Sequence, residues 1–315
     1  FDVYKNDSAL AAIQFPGYVI PSSILNWPAH GDTAKGYSYY LAPFVDVNGD
    51  GKYNPLDGDY PAYDFGELDK ANGKLWGHQT LWQVYNDKGG EHTETGGTPI
   101  GIEVHNQSFA FFTNDELNNA TFYKNIVINR SNNDYKDFYI SIFIDSDLGY
   151  HYDDYIGFDV QRGLAFQYNG LAIDGTGKPD HYGKNPPAVG IKLYKGPLMA
   201  PDGTDNPKYT IEIDLISGDT TYNQICDESI NGQNFGNGII DDERLGFSSF
   251  MHVYAAGYNE TQSQPRTASE YYLFQKGMWK DGSQIFYGGN GHDLSGAYGP
   301  YCKFMFPGNS DPCNW

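Results

Sequence analysis

Carboxylates gather in three stretches of this chain, and one stretch has the spacing of a calcium loop. In DVNGDGKYNPLD, residues 46–57, side-chain oxygens fall at Asp46, Asn48 and Asp50, glycine at Gly51, and a carboxylate closes the run at Asp57. An EF-hand-type loop needs oxygens at positions 1, 3 and 5, Gly at 6 for the sharp turn, a main-chain carbonyl at 7 and a carboxylate at 12. The carbonyl is assigned to Tyr53. Asp instead of Glu at the close shortens the reach, as in dockerin-like loops, and the flanks are too rich in Pro to be paired helices. A set of merely solvated Asx turns competes with this reading, but the full spacing rarely arises by accident. Calcium is the expected cofactor.

The second stretch, DSDLGYHYDDYIGFD, carries Asp145, Asp147, Asp153, Asp154 and Asp159. A strand over DFYISIFID would place Asp145 and Asp147 on one face, and Gly149 and Gly157 permit the chain to fold back. Five carboxylates this close repel unless they are solvated or share a hard cation, so a second calcium is expected here. An exposed acidic loop is the alternative. The third stretch, NGQNFGNGIIDDE, offers Asn237, Asp241, Asp242 and Glu243. Phe235 stands where a third ligand belongs, which favours a plain loop.

Other chemistry is thinly represented. His92 with Glu94, and Glu103 with His105, sit two residues apart and so share strand faces; a hydrogen-bonded pair is the commoner outcome than a transition-metal site. No nucleophile elbow, zincin helix or phosphate-binding glycine loop is present, and no catalytic residue is assigned. Trp76, Trp82 and Trp279 are candidates for a sugar-stacking platform, although aromatics at strand spacing more often form core. Of Cys226, Cys302 and Cys313, the last two are placed to close a short loop in YCKFMFPGNSDPC, against the alternative of three unpaired thiols.

The elements that must position these residues read as mostly β. There are 27 Tyr, 19 Phe and 38 Gly, with only 20 Lys and Arg, a balance that suits strands and turns better than surface helices. TLWQVYND, GIEVHNQSFAFF, TFYKNIVINR, DFYISIFID, LAFQYNG, IKLYKG, YTIEIDLI and SSFMHVYAA are the candidate strands, bounded by Asn, Asp and Gly. One helix is expected from Thr267, where TASE spells a capping box. The expected fold class is all-β, mainly antiparallel and sandwich-like, with long irregular loops and a few short helices. Three segments are drawn with soft boundaries: 1–78 with the calcium loop, 79–216 sandwich-like, and 217–315 β-rich with the helix. The net charge of −20 repels nucleic acid and anionic lipid, and no apolar run is long enough for a membrane-spanning helix.

IPSSILNWPAHGD, LAPFVDVNGDGKYNPLDGDYP, EHTETGGTPIGIEV, KNPPAVGIKLYKGP, DDERLGFSSFMHVY and FMFPGNSDPCNW, in that order, resemble successive blocks of large extracellular proteins exported by type IX secretion. The resemblance implies a secreted or cell-surface location, with a signal peptide and a sorting domain outside this central region. It also implies O-glycosylation at Asp-Ser/Thr-x motifs, here Ser8, Thr33 and Thr220. The function expected is a calcium-stabilised structural or adhesive surface protein, not an enzyme. Its expected partners are other cell-envelope or extracellular matrix proteins, copies of itself, or a glycan. A carbohydrate-binding or carbohydrate-processing module is the competing reading.

Overall fold

A computed structural model describes residues 7–35, 37–62, 76–254, 259–292 and 299–313. The chain forms two compact units, one of residues 1–93 and 97–134, the other of 94–96 and 135–315. The divisions expected after residues 78 and 216 therefore fall inside units. Structure is mostly antiparallel strand with few short helices, as the composition predicts.

In the first unit, α1 (Ser8–Gln14) starts at Asp7, whose carboxylate accepts the Leu10 N–H at 2.9 Å. A short helix, α2 (Ser22–Leu25), follows. Two brief strands, β1 (Phe44–Val45) and β2 (Tyr60–Pro61), pair around the 46–57 loop and bring its ends together. The longest strands are β3 (Gln79–Asn86), β4 (Ile102–Ala110) and β5 (Thr121–Asn129), a meander with β4 in the middle. Cross-strand pairs such as Val104 with Val127 and Phe109 with Phe122 hold its register.

In the second unit, β6 (Asp154–Asp159) and β7 (Leu164–Asn169) form a hairpin, and β10 (Ala188–Lys192) adds to the other edge of β7. The sequence reads Asp145 to Asp159 as an acidic loop, yet its last six residues are strand. Alternating Ile156 and Phe158 find a partner in β7, and ladder pairing wins over the charge pattern. Two small hairpins complete the strands: β8 (Ile173–Asp174) with β9 (Gly183–Lys184), and β11 (Tyr209–Ile213) with β12 (Thr220–Gln224).

Helix α3 (Ala268–Gln275) begins as predicted, with the reciprocal capping box of Thr267 and Glu270. Two predicted strands are absent. Residues 138–148 make no ladder; the segment lies against α3, where Tyr272 donates to the Asp137 carbonyl and Gln275 to Ser141. The described part of SSFMHVYAA makes only isolated bridges, Phe250 with Phe304 and Tyr254 with Ser263; residues 255–256 lie outside the described residues.

The core of this unit sits beneath β6. Phe158 stacks on Phe304 at 5.0 Å and on Phe250 at 4.9 Å, joined by Val160, Ile230 and Cys313. Each fully buried Phe contributes about 1.5–3 kcal/mol. Trp279, Ile285 and Met305 make a second cluster, with the Trp279 indole N–H given to the Gly291 carbonyl at 2.9 Å.

The cysteine pairing differs from the expected one. Cys226 bonds Cys313 across a separation of 87 residues, and Cys302 is free. Phe158 and Ile230 bury Cys313 in the first cluster, whereas Cys302 packs against Trp279 and Ile285 in the second. Burial and the nearby Asp311 carboxylate raise the Cys302 thiol to about 11, so it stays protonated at neutral pH.

Candidate cation sites

The 46–57 loop closes on its own carboxylates. Asp46 leaves β1 and accepts main-chain N–H groups from Gly49 at 2.8 Å, Asp50 at 3.2 Å and Gly51 at 2.7 Å. Gly49 and Gly51 take φ of 73° and 75°, which the reversal requires and other residues resist. Asn48 Oδ1 accepts from the Asp50 N–H, and Asp50 Oδ1 from the Lys52 N–H. At the far end Asn54 caps the turn Pro55–Asp57 and donates to the Asp57 carboxylate at 2.6 Å. Asp46, Asn48, Asp50 and Asp57 are thus held on one short loop by Asx turns.

Tyr53 does not belong to that donor set. With Asp46 in position 1, the seventh carbonyl is that of Lys52. Tyr53 is an anchor: its N–H donates to His30 Nε2 at 2.9 Å and its hydroxyl to the Ile24 carbonyl at 2.7 Å. Burial, with the Asp59 charge nearby, raises its phenol well above the usual range.

Asp59, which the sequence reading omits, is fully buried and ties both shoulders of the loop, accepting from the Val47 and Asn54 N–H groups at 2.8 Å each. The DGD of residues 57–59, which begins on the closing residue of the loop, is the signal that marks it.

The second acidic stretch separates into unequal parts. Asp145 and Asp147 are exposed, because the strand expected to aim them does not form. Asp159 is claimed by Arg162 at 2.6 Å; burial works to raise its carboxyl, but the guanidinium and the Arg162 N–H hold it below the usual range. Asp153 and Asp154 are half-buried at the start of β6. Asp154 Oδ2 accepts from the Leu148 N–H and Gln167 Nε2, both at 2.9 Å, and Asp153 Oδ2 from the Gly175 N–H at 3.0 Å.

Beside them Asp174, also unforeseen, is fully buried. Burial pushes its carboxyl upward, yet the Tyr150 and Tyr182 N–H groups outweigh that and hold it below the carboxylate norm.

In the third stretch Asn237 and Asn234 donate to Asp242, while Glu243 is buried and accepts the Asn206 N–H. A neighbouring loop that the sequence did not single out joins them: Asp241 accepts from Asp202 and Gly203, and Asp205 from Gly236, Asn237 and Gly238. Asp241, Asp205 and Glu243 are satisfied by main-chain N–H groups and Asp242 by side-chain amides, which accounts for the order of the loop without a ligand.

Among the described residues no three His, Cys, Asp or Glu side chains form a group that could hold a metal ion. Any cation here therefore draws on Asn side chains and main-chain carbonyls as well.

Of the expected His-bearing pairs, Glu103 with His105 is hydrogen-bonded, whereas His92 bonds a main-chain carbonyl. Glu103 Oε1 accepts from His105 Nε2 at 2.8 Å and Arg130 Nη2 at 2.9 Å. Burial alone would raise the Glu103 carboxyl; Arg130 and His105 bring it below normal. His92 contacts the Asp87 carbonyl.

The tryptophans do not share a platform. Trp279 is fully buried, Trp82 packs on Trp27 and His105, and Trp76 leans on Phe109. Ser8, Thr33 and Thr220 are all exposed; Asp7 and Asp32, which precede the first two, bond the main chain of the turn they begin.

No helix among the described residues is long and apolar enough to cross a membrane. Comparison with known protein families, with characterised proteins and with solved structures finds no match to this chain, so its function is argued from these sites.

Proposed function

We propose that this chain is a calcium-stabilised structural or adhesive segment of a bacterial protein exported to the cell surface by type IX secretion, with no catalytic role. The observation that carries the reading is the 46–57 loop. Asp46 receives three N–H groups, and Gly49 and Gly51 turn left-handed, which keeps Asp46, Asn48 and Asp50 together on one tight loop. Carboxylates so placed repel one another, and a hard cation relieves that repulsion while its binding adds to folding stability.

Two features support the address. A disulfide persists in oxidising compartments and is rare in the cytosol. A net charge of −20 keeps such a surface soluble and makes it responsive to divalent cations. On this reading the antiparallel sheets pack in sandwich fashion, and the partners are envelope proteins, extracellular matrix or further copies of the chain. Glycan at Ser8, Thr33 and Thr220 belongs to the same reading.

The test is thermal unfolding of metal-stripped protein with and without added calcium. At calcium about 100-fold above Kd the loop should add about 2.7 kcal/mol of stability. Asp50→Ala should abolish the part of that gain that belongs to the 46–57 loop. Identical melting of the parent and Asp50→Ala across a calcium titration would count decisively against a calcium loop.

A further inference from the structure

We infer that the β6–β7 hairpin holds a divalent cation of the calcium class between Asp153, Asp154 and Asn169. The inference deepens the calcium reading above but stands on a different unit of the chain from the Asp46 loop.

Three side-chain oxygens at this end of the hairpin have almost no accessible surface and no hydrogen-bond partner: Asp153 Oδ1, Asp154 Oδ1 and Asn169 Oδ1. Asp154 and Asn169 are directly opposite in the ladder, so their side chains leave the same face with Cβ atoms about 5 Å apart. Asp153 is the next residue back, and its carbonyl accepts the Gly170 N–H at 2.7 Å, which fastens it to the residue after Asn169.

None of the three oxygens can turn away cheaply, because the other half of each side chain is committed. Asp154 Oδ2 is held by Leu148 and Gln167, Asp153 Oδ2 by Gly175, and Asn169 Nδ2 donates to the Leu171 carbonyl at 2.7 Å. That donation also fixes which end of the amide is oxygen. All three are therefore acceptors, and acceptors cannot satisfy one another. Leaving a buried acceptor unmatched is costly, and more so when it carries charge.

Whatever satisfies these oxygens must offer positive charge or protons, and a cation seated between Asp154 and Asn169 would serve more than one of them. Among the described residues neither Asp153 nor Asp154 has an ion-pair partner, and Arg162 is engaged by Asp159 at the opposite end of the hairpin. Two carboxylates and an amide oxygen make a hard, all-oxygen donor set, which suits calcium and not a metal that prefers nitrogen or sulfur. The 146–148 segment lies against the site, since Leu148 donates to Asp154 and Gln167 to the Ser146 carbonyl at 2.7 Å. Asp147 is on that segment and is exposed.

The experiment is calcium titration by calorimetry, with metal content measured after dialysis, on the full chain in an Asp50→Ala background so that the Asp46 loop is silent. In that background the chain should bind one calcium. Asn169→Ala should remove it, and Asn169→Asp, which adds a third inner carboxylate, should tighten binding about tenfold. Circular dichroism confirms that each variant is folded, and Asn169→Asp keeps the test alive if Asn169→Ala is not.

Unchanged calcium content in the Asn169→Ala variant overturns the site. So does a crystal structure grown in calcium that shows only water at these oxygens, at about 2.8 Å instead of the 2.3–2.6 Å of calcium ligands. Failure of the Asp46 loop is read separately, by comparing parent with Asp50→Ala.

Discussion

Breaking the Cys226–Cys313 bond should destabilise the second unit more than any single surface change. The bond closes a loop of 87 residues, from the end of β12 to a cysteine buried against Phe158. In the chain-entropy description, closing a loop of that length removes about 15 cal/mol/K from the unfolded ensemble, or about 4.6 kcal/mol at 25 °C. A Cys302–Cys313 bond would close a loop of about 11 residues and contribute only about 2.8 kcal/mol by the same relation. For a unit of this size, 4.6 kcal/mol corresponds to a fall in Tm of about 9–18 °C.

The perturbation is the double variant Cys226→Ser/Cys313→Ser, compared with the parent in the presence and absence of a phosphine reductant, by urea unfolding and thermal melting. Cys302→Ala serves as the control. It should leave the reductant sensitivity intact and cost about 1 kcal/mol through lost packing near Trp279. If reductant moves the parent's midpoint no further than that of the double variant, the entropic argument fails. Recovery of a disulfide-linked peptide pair containing Cys302 from a non-reducing digest would show that the connectivity itself is wrong.

Asp174 should make the second unit sensitive to acid. Its folded-state carboxyl lies below the unfolded value near 4, so its contribution is complete above about pH 4 and disappears as pH falls through the lower folded value. Asp174→Asn should flatten the dependence of the urea midpoint on pH in that range, and an unaltered profile would refute the assignment. Peptide mass spectrometry of protein from its native source should find a glycan on at least one of Ser8, Thr33 and Thr220. All three side chains are exposed, and a bulky hydrated sugar has room only at the surface. Three unmodified peptides would dismiss the motif reading.

What the amino-acid order determined by itself was local. Thr267 and Glu270 lie three apart and cap a helix because a first turn presents free N–H groups at that spacing. Asp46, Asn48 and Asp50 bond N–H groups two to five residues ahead, so their turns were legible without any knowledge of the fold. Strands β3, β4 and β5 follow from alternation between turn signals.

Tertiary structure decided whatever depends on a distant partner. The run over 137–145 alternates as well as β5 does, but a strand exists only where another backbone accepts its hydrogen bonds, and here α3 stands alongside instead. Asp154 meets Asn169 because the hairpin register sets them opposite; a shift of one residue would send each side chain to the other face. Cys313 bonds Cys226 and not its sequence neighbour Cys302 because the aromatic cluster around Phe158 draws the distant pair together, while the separate packing around Trp279 keeps Cys302 away. Spacing along the chain encodes bonds that close within a turn, and only the packed core selects among contacts that span dozens of residues.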